Sequence, residues 1–535
     1  MTALSLAAIL EGSARKHSGH TAVISEGETY SYGELWRQAL QQATALRGSG
    51  VEAGDVVAIM SPNVVDFPRS YYAVLAAGAV VVPVHLLLTV PEVVHVLRDS
   101  GATMLICHPS FLAVGGAAAE ELGLPVRTSS WPDAGDAGSS TGTTATSGAS
   151  GAPVPEPLAT YVTRQAEDPA VVFYTSGTTG QPKGAILTHV NMVMNATVSA
   201  VDANDVHHED IALGCLPLFH VFGQTASMNA IFRLGATLVL LPRFSGEAAL
   251  ELIREQHVDV FHGVPTMYVQ LLAAANDQGG QADLPKLRLC VSGGAALPQA
   301  VMERFNAAFD VTIYEGYGLS ETSPVVSTNN PHSGVKPGTV GPAIWGVDVL
   351  VNDRNTPGSL SPVPHGELGE ILVRGHNVFA GYLGNEEATA EAMVEGWFRT
   401  GDLGTLDDDG FLTIVDRTKD VIIRGGFNVY PREVEEVLIR CPGIAQVAVI
   451  GIPDEERGEE VCAVVIRDTG PDGGPDGGGA ATAEGVTAEF IIEWARERLG
   501  KHKYPRMVRF VDEFPLGPSH KILKRELRRS VAEGE

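Results

Sequence analysis

The sequence predicts an α/β protein of mostly parallel sheets, with a smaller α+β unit at its C-terminal end. Three observations carry this reading. Apolar, β-branched runs followed by a turn and an amphipathic stretch recur through the first half of the chain, as parallel strands joined by helical crossovers do. Short runs flanked by Gly, Asp and Thr then follow, which is the punctuation of antiparallel hairpins. The chain has 535 residues, several times an ordinary domain, so several subdomains are expected.

Taken in order, D55-V-V-A-I-M, T103-M-L-I-C, A212-L-G-C-L, T237-L-V-L-L, D259-V-F-H-G-V and L287-R-L-C-V-S-G-G read as buried strands. The apolar segment from Tyr71 to Val90 is interrupted by Gly78, Pro83 and His85. It splits into a helix and a β-branched strand and does not read as a transmembrane span. From about Gly338 to Ile414 the chain reads as hairpins, with G-E-L-G-E-I-L-V-R-G and G-F-L-T-I-V as strands. Beyond this a helix is expected at P431-R-E-V-E-E-V-L-I-R, with strands at Q446-V-A-V-I-G and V461-C-A-V-V-I. The division is therefore placed near Asp416–Asp420, giving a large part over 1–416 and a small one over 417–535. Two Gly/Ser/Thr/Pro/Ala-rich segments, 132–155 and 470–484, bury too little apolar surface to order themselves and read as flexible insertions inside domains.

Composition narrows the function. Lys and Arg number 37 against 64 Asp and Glu, a net charge of −27, which argues against a nucleic-acid partner. Five scattered cysteines form no C-x-x-C pair or Cys/His cluster, so neither a zinc site nor a disulfide framework is expected, and a reducing cytoplasm fits best. The N-terminus lacks a basic region and meets Glu11 early, unlike a secretory signal. Peripheral membrane contact, and the choice between monomer and homodimer, stay open.

The stretch with most chemistry is Phe173–Gly184, F-Y-T-S-G-T-T-G-Q-P-K-G. It is not a Walker A loop, because Lys183 follows Pro182 and precedes Gly184. The physics is related: Gly177 and Gly180 let the backbone turn its N–H groups toward an anion, while Thr175, Ser176, Thr178 and Thr179 supply further donors and Lys183 a charge.

Further strings follow it: L216-P-L-F-H-V-F-G, G263-V-P-T, V291-S-G-G-A-A-L, Y314-E-G-Y-G-L-S-E-T, W397-F-R-T-G-D, D416-R-T-K-D-V-I-I-R-G-G-F-N-V-Y-P-R-E-V-E and G517-P-S-H-K-I-L-K-R-E-L. With these, nearly the whole chain resembles the adenylate-forming (ANL) superfamily of acyl-CoA synthetases, peptide-synthetase adenylation domains and beetle luciferases. It is most similar to the medium- and long-chain fatty-acid–CoA ligases. The resemblance implies two stacked α/β subdomains, a small β-barrel-like subdomain and a mobile C-terminal domain. It implies ATP-dependent formation of an acyl-adenylate with release of pyrophosphate, then transfer to coenzyme A, with Mg²⁺ required.

Carried over residue by residue, Thr175, Ser176, Gly177, Thr178, Thr179, Gly180 and Lys183 would hold the β- and γ-phosphates. Glu321 and Thr175 would bind Mg²⁺, and Ser320 would touch the α-phosphate. Gly293, Gly294 and Ala295, with Glu315, Gly316 and Tyr317, resemble the adenine shelf. Asp402 resembles the acceptor of the ribose hydroxyls, and Arg417 the contact to ribose and phosphate. His220 and Val264 fall at the acyl pocket, His220 as a gate. Lys419 resembles the hinge. In one orientation the small domain would bring Lys521 to the α-phosphate; in the other it would bring Gly425 and Gly426 in to open the pantetheine channel. Here His520 stands where relatives carry Gly, which sets an imidazole beside the catalytic lysine. Within the same chemistry the alternative is a ligase for an aryl or short-chain acid. Adenylation for an attached carrier is disfavoured, since the chain stops at Glu535 soon after Lys521. A nucleotide-binding regulator without turnover is the rival from another class.

Overall fold

The structure is a computed structural model that describes residues 3–130, 154–175, 182–277, 284–356, 358–454, 456–468, 486–517 and 522–533. The insertions expected at 132–155 and 470–484 fall almost wholly outside these ranges, as do Ser176 to Gly180, His520 and Lys521.

Two large sheets dominate the first four hundred or so residues. One has eight strands in the order Val325–Thr328, Ile313–Gly318, Leu289–Ser292, Val260–Gly263, Ile211–Gly214, Thr237–Leu240, Thr21–Ser25 and Glu28–Ser31. The inner pairings are parallel and the two edge pairings antiparallel. The other has seven strands in the order Gly381–Tyr382, Lys183–Thr188, Pro169–Thr175, Val80–Pro83, Val56–Met60, Ala102–Cys107 and Val126–Thr128. The apolar run after Tyr71 is a helix, Asp66–Ala76, followed by the strand Val80–Pro83. That helix is buried from Phe67 to Ala76, because it packs in a core fed by both sheets. Its two phenols find partners there: Tyr72 donates to Asn229 Oδ1 (2.8 Å), and the Asn229 amide donates to Tyr71 (3.2 Å). Buried hydroxyls without such partners would cost free energy.

A third, antiparallel sheet is built from Val347–Asn352, Gly369–Gly375, Trp397–Leu406, Met393–Val394 and Leu412–Arg417. Arg417 ends its last strand, and the next strand, Ile422–Arg424, already pairs in a fourth sheet. That sheet contains Phe427–Val429, Ile422–Arg424, Gly458–Arg467, Ile444–Asp454 and Met507–Phe510, with helices Pro431–Leu438 and Ala488–Arg498 on its own core. Helix Lys524–Glu533 closes the described chain. The whole is the mixed α/β architecture expected, with a large N-terminal and a small C-terminal domain.

The site depends on one close backbone approach. Gly318 ends the strand Ile313–Gly318, and the chain turns back at once through the one-turn helix Ser320–Thr322 into Val325–Thr328. A methyl group on Gly318 would overlap the Pro324 carbonyl oxygen, and backbone cannot swing aside as a side chain can. Gly318→Ala is therefore expected to cost about 3 kcal/mol or more of stability and to move Ser320 and Glu321 together. Thermal unfolding and activity measured on the same preparation would show both losses.

Candidate active site

A cavity of about 750 Å³ lies where the two large sheets, the antiparallel sheet and the C-terminal domain meet. It collects most of the residues singled out in the sequence, from seven separate strings. Thr175, Lys183, His220, Val264, Gly293, Gly294, Gly316, Tyr317, Ser320, Glu321, Asp402, Arg417 and Lys419 all line it.

Its most constrained element is a buried carboxylate. Asp402 is 2% exposed and pairs in register with Arg417 across the antiparallel strands Trp397–Leu406 and Leu412–Arg417. Arg417 Nε lies 3.1 Å from Asp402 Oδ1, and the Tyr317 hydroxyl donates to Oδ2 at 2.6 Å. Burial, then the neighbouring Asp402 charge, pushes the Tyr317 phenol well above its ordinary range, so it stays a neutral donor. Burial works against the Arg417 charge, but Asp402, Tyr317, Asp420 and Glu321 outweigh it and raise its pKa. A carboxylate braced from two sides in this way presents its remaining lone pairs in fixed directions.

Across the cavity, the strand Lys183–Thr188 pairs antiparallel with Gly381–Tyr382. This places Lys183 Nζ 5.3 Å from the centre of the Tyr382 ring, while the Tyr382 hydroxyl donates to Glu321 Oε1 at 2.9 Å. Burial, then Glu321, raises the Tyr382 pKa, so this phenol also remains protonated. Sequence reasoning missed Tyr382. Its only signal is an aromatic between glycines in F379-A-G-Y-L-G, a string without charge. Glu321 Oε2 has no hydrogen-bond partner among the described residues. With the Thr175 hydroxyl on the same cavity, the donors are hard oxygens, which suit Mg²⁺ completed by water and phosphate.

Another wall of the cavity is formed by two π-helical segments, Ser199–Ala203 and Phe222–Asn229, which bring Ser199, Ala203, Phe222, Gly223 and Ala226 to it. His220 Nδ1 accepts from the Phe222 backbone N–H (3.2 Å). A second histidine, His85, was passed over in the sequence as an interruption of an apolar run. Its ring stands edge-on to Phe219 at 4.5 Å, and burial, then the nearby His220, pulls its pKa down to about 4. His85 Nε2 and Ser199 Oγ are buried on this wall without hydrogen-bond partners among the described residues.

Four of the expected residues are not brought to the cavity. Ala295 does not line it. Nor does Glu315, whose side chain turns beneath the shelf and accepts the Leu297 backbone N–H at 3.1 Å. This pins the loop after Gly293 to the strand Ile313–Gly318, so the Glu315 carboxylate braces the loop from outside the cavity lining. Gly425 and Gly426, with φ of 57° and 83°, form the tight turn between Ile422–Arg424 and Phe427–Val429, away from the cavity and flanked by exposed Ile423 and Phe427. Of the described chain beyond Lys419, Leu523 lines the cavity, so the segment that follows Lys521 faces it.

Comparisons with known proteins show the family. The model of the AMP-binding enzyme family matches residues 10–383, and that of the AMP-binding enzyme C-terminal domain matches 433–521. The chain belongs to the AMP-binding enzyme family, the adenylate-forming superfamily, and is an AMP-forming acyl-CoA ligase. A feruloyl-CoA synthase of Amycolatopsis sp is 37% identical over 96% of this chain and 97% of that protein. A long-chain-fatty-acid–CoA ligase of Bacillus subtilis (strain 168) is 34% identical over 99% and 95%. Among solved structures, ATP-bound MatB from Rhodopseudomonas palustris superposes with a TM-score of 0.86 at 31% identity, covering 99% of each chain.

Glu315 supplies a test of the packing under the shelf. Burial is the largest influence on its carboxyl; Arg432 and the Leu297 N–H oppose it, Glu436 adds to it, and the pKa rises to about 7 from an ordinary 4.5. A raised acid favours the protonated folded state, so its contribution to stability is full below pH 4.5 and is lost as pH rises toward 7. Glu315→Gln keeps the acceptor and removes the titration. The stability gap between variant and wild type is expected to shift in the variant's favour across that window, by up to about 3 kcal/mol. Denaturant unfolding at several pH values measures it.

Proposed function

We propose that the cavity activates a medium- or long-chain fatty acid. The observation that carries this is the convergence on one cavity of two elements. One is a polar end made by Lys183, Glu321 and the Asp402–Arg417 pair; the other is a mainly apolar wall that includes Leu88, Val96, Phe219, Phe222 and Ala226. A carboxylate is a poor acyl donor, because its leaving group is oxide. Transfer to the α-phosphorus of ATP turns it into an acyl-adenylate, with pyrophosphate leaving and AMP as the next leaving group for the CoA thiolate.

In this reading Thr175 to Lys183 hold the β- and γ-phosphates, and Lys183 gives its charge to them. Gly293, Gly294, Gly316 and Tyr317 receive the adenine, Ser320 reaches the α-phosphate, and Asp402 accepts the ribose hydroxyls while Arg417 spans ribose and phosphate. Thr175 and Glu321 would hold Mg²⁺, which when bound neutralises phosphate charge and stabilises the departing pyrophosphate. Neutral His85 and the neighbouring His220 stand at the acyl entrance and orient the acid; His220 gates the path to the thiol. Rotation about Lys419 exchanges Lys521, which serves the first step, for the Gly425–Gly426 turn, which serves the second. We place the enzyme in the cytoplasm, consistent with five free, buried thiols. Among the described residues, no helix is long and apolar enough to cross a membrane.

An aryl acid is the second reading, favoured by the feruloyl-CoA synthase relative and by the unpartnered Ser199 Oγ and His85 Nε2, which a ring hydroxyl would satisfy and a methylene chain would not. A panel from acetate to oleate, with benzoate and cinnamate, decides by AMP release with and without CoA. CoA-dependent turnover that peaks on aliphatic chains supports the proposal. A peak on the aromatic acids selects the second reading, and absence of turnover on all of them refutes both. Tyr382→Phe removes the donor to Glu321 and is expected to raise the KM for MgATP about tenfold, as loss of a hydrogen bond to a charged group does, with the KM for the acid nearly unchanged. Steady-state kinetics in both substrates checks it.

A further inference from the structure

The contacts of the C-terminal domain sort by which side of Lys419 they fall on. Arg528 pairs with Asp420 (3.1 Å) and Lys524 with Glu435 (2.7 Å). All four residues lie beyond the hinge, so these pairs travel with the domain. Arg432, like Tyr430 and Arg440, is bonded across the hinge, and it is the most buried of these links. It opens the helix Pro431–Leu438, and its side chain is 15% exposed. Its backbone N–H donates to Asp416 Oδ2 (3.2 Å), and its guanidinium Nη1 donates to the Ile414 carbonyl (2.6 Å). Ile414 and Asp416 precede the hinge, on the strand Leu412–Arg417. Arg432 Nε is meanwhile held by Glu436 on its own helix (3.2 Å), and the guanidinium faces buried Glu315 under the adenine shelf. Turning the domain about Lys419 would break the Ile414 and Asp416 contacts and carry Arg432 away from Glu315, while leaving the Arg528 and Lys524 pairs whole.

We propose that Arg432 is a positioning residue that latches the C-terminal domain in the orientation seen here, with the segment after Lys521 facing the cavity, and that its release accompanies the change to the CoA-transfer step. This rests on the two-step reading above. Arg432 is not among the residues that line the cavity. Its side chain sets how long the domain stays in the first orientation, through one charge-assisted bond to the Ile414 carbonyl and the attraction of Glu315, both before the hinge.

The test separates the half-reactions. Adenylation is read as acid-dependent ATP–pyrophosphate exchange, and transfer as CoA-dependent consumption of pre-formed acyl-adenylate. Arg432→Met is expected to slow exchange about tenfold and leave transfer within twofold of wild type, and Arg432→Lys is expected to restore most of the exchange. Equal loss in both half-reactions, or no loss in either, overturns the latch. A second readout does not depend on turnover. Arg440 of the C-terminal domain donates to Gln299 of the large domain across an exposed contact (3.2 Å), and all five native thiols are buried. In a Gln299→Cys, Arg440→Cys background, a short bifunctional maleimide should join the two positions, and adding Arg432→Met should cut the yield several-fold. An unchanged yield overturns the proposal. Wild type without either half-reaction would refute the functional reading instead, and the cross-link would still judge the latch.

Discussion

The ion pair between Asp402 and Arg417 is the constraint on which the rest of the molecule hangs. A carboxylate at 2% exposure is tolerable only when fully partnered, and its partners come from different parts of the chain. Arg417 stands opposite it in the antiparallel register, and Tyr317 reaches over from the last parallel strand of the eight-stranded sheet. Arg417 is also the final residue of its strand, immediately before Thr418 and Lys419. One buried charge thus ties the antiparallel sheet to the large sheet, at the last residue before the proposed hinge.

Part of the cavity lining was legible in the sequence. A Gly-rich string with a Lys after Pro singles out Lys183 as a candidate anion contact, and the resemblance of the later strings to a family singles out Glu321 and Asp402, before any fold is known; all three line the cavity. Alternating strand and helix signals likewise mark the parallel sheets, since β-branched runs such as V80-V-V-P have few other uses. What stayed hidden depends on pairing between distant segments. Tyr382 reaches Glu321 only because Gly381–Tyr382 adds to the edge of Lys183–Thr188, and nothing in F379-A-G-Y-L-G announces that. Glu315 shows the opposite case. It sits inside a nucleotide-binding string, yet its side chain serves the Leu297 backbone and not the cavity.

The cavity also resolves a tension in the composition. A chain of net charge −27 repels polyanions at long range, yet its proposed substrate is one. Locally the balance reverses. Among the described lining residues, Lys183, Arg399, Arg417 and Lys419 outnumber Glu321 and Asp402, before the loop donors are counted. The buried phenols and His85 stay neutral, so they add directed hydrogen bonds without adding charge. Binding is therefore a short-range matter of oriented groups in a sheltered space.

The helix Asp66–Ala76, enclosed between the two large sheets, makes those sheets interdependent. Val57 and Val171 from one and Val23 and Leu238 from the other share its apolar core, whereas Val434, Leu438, Val449 and Val465 form a separate core in the C-terminal domain. Neither large sheet can lose its packing without exposing the helix, so amide protons throughout both should exchange with solvent only in a single cooperative opening. The small domain carries its own apolar centre and opens on a schedule of its own. The part of the molecule proposed to turn between the two half-reactions is thus a separate unit of stability, and such a motion need not loosen the cavity.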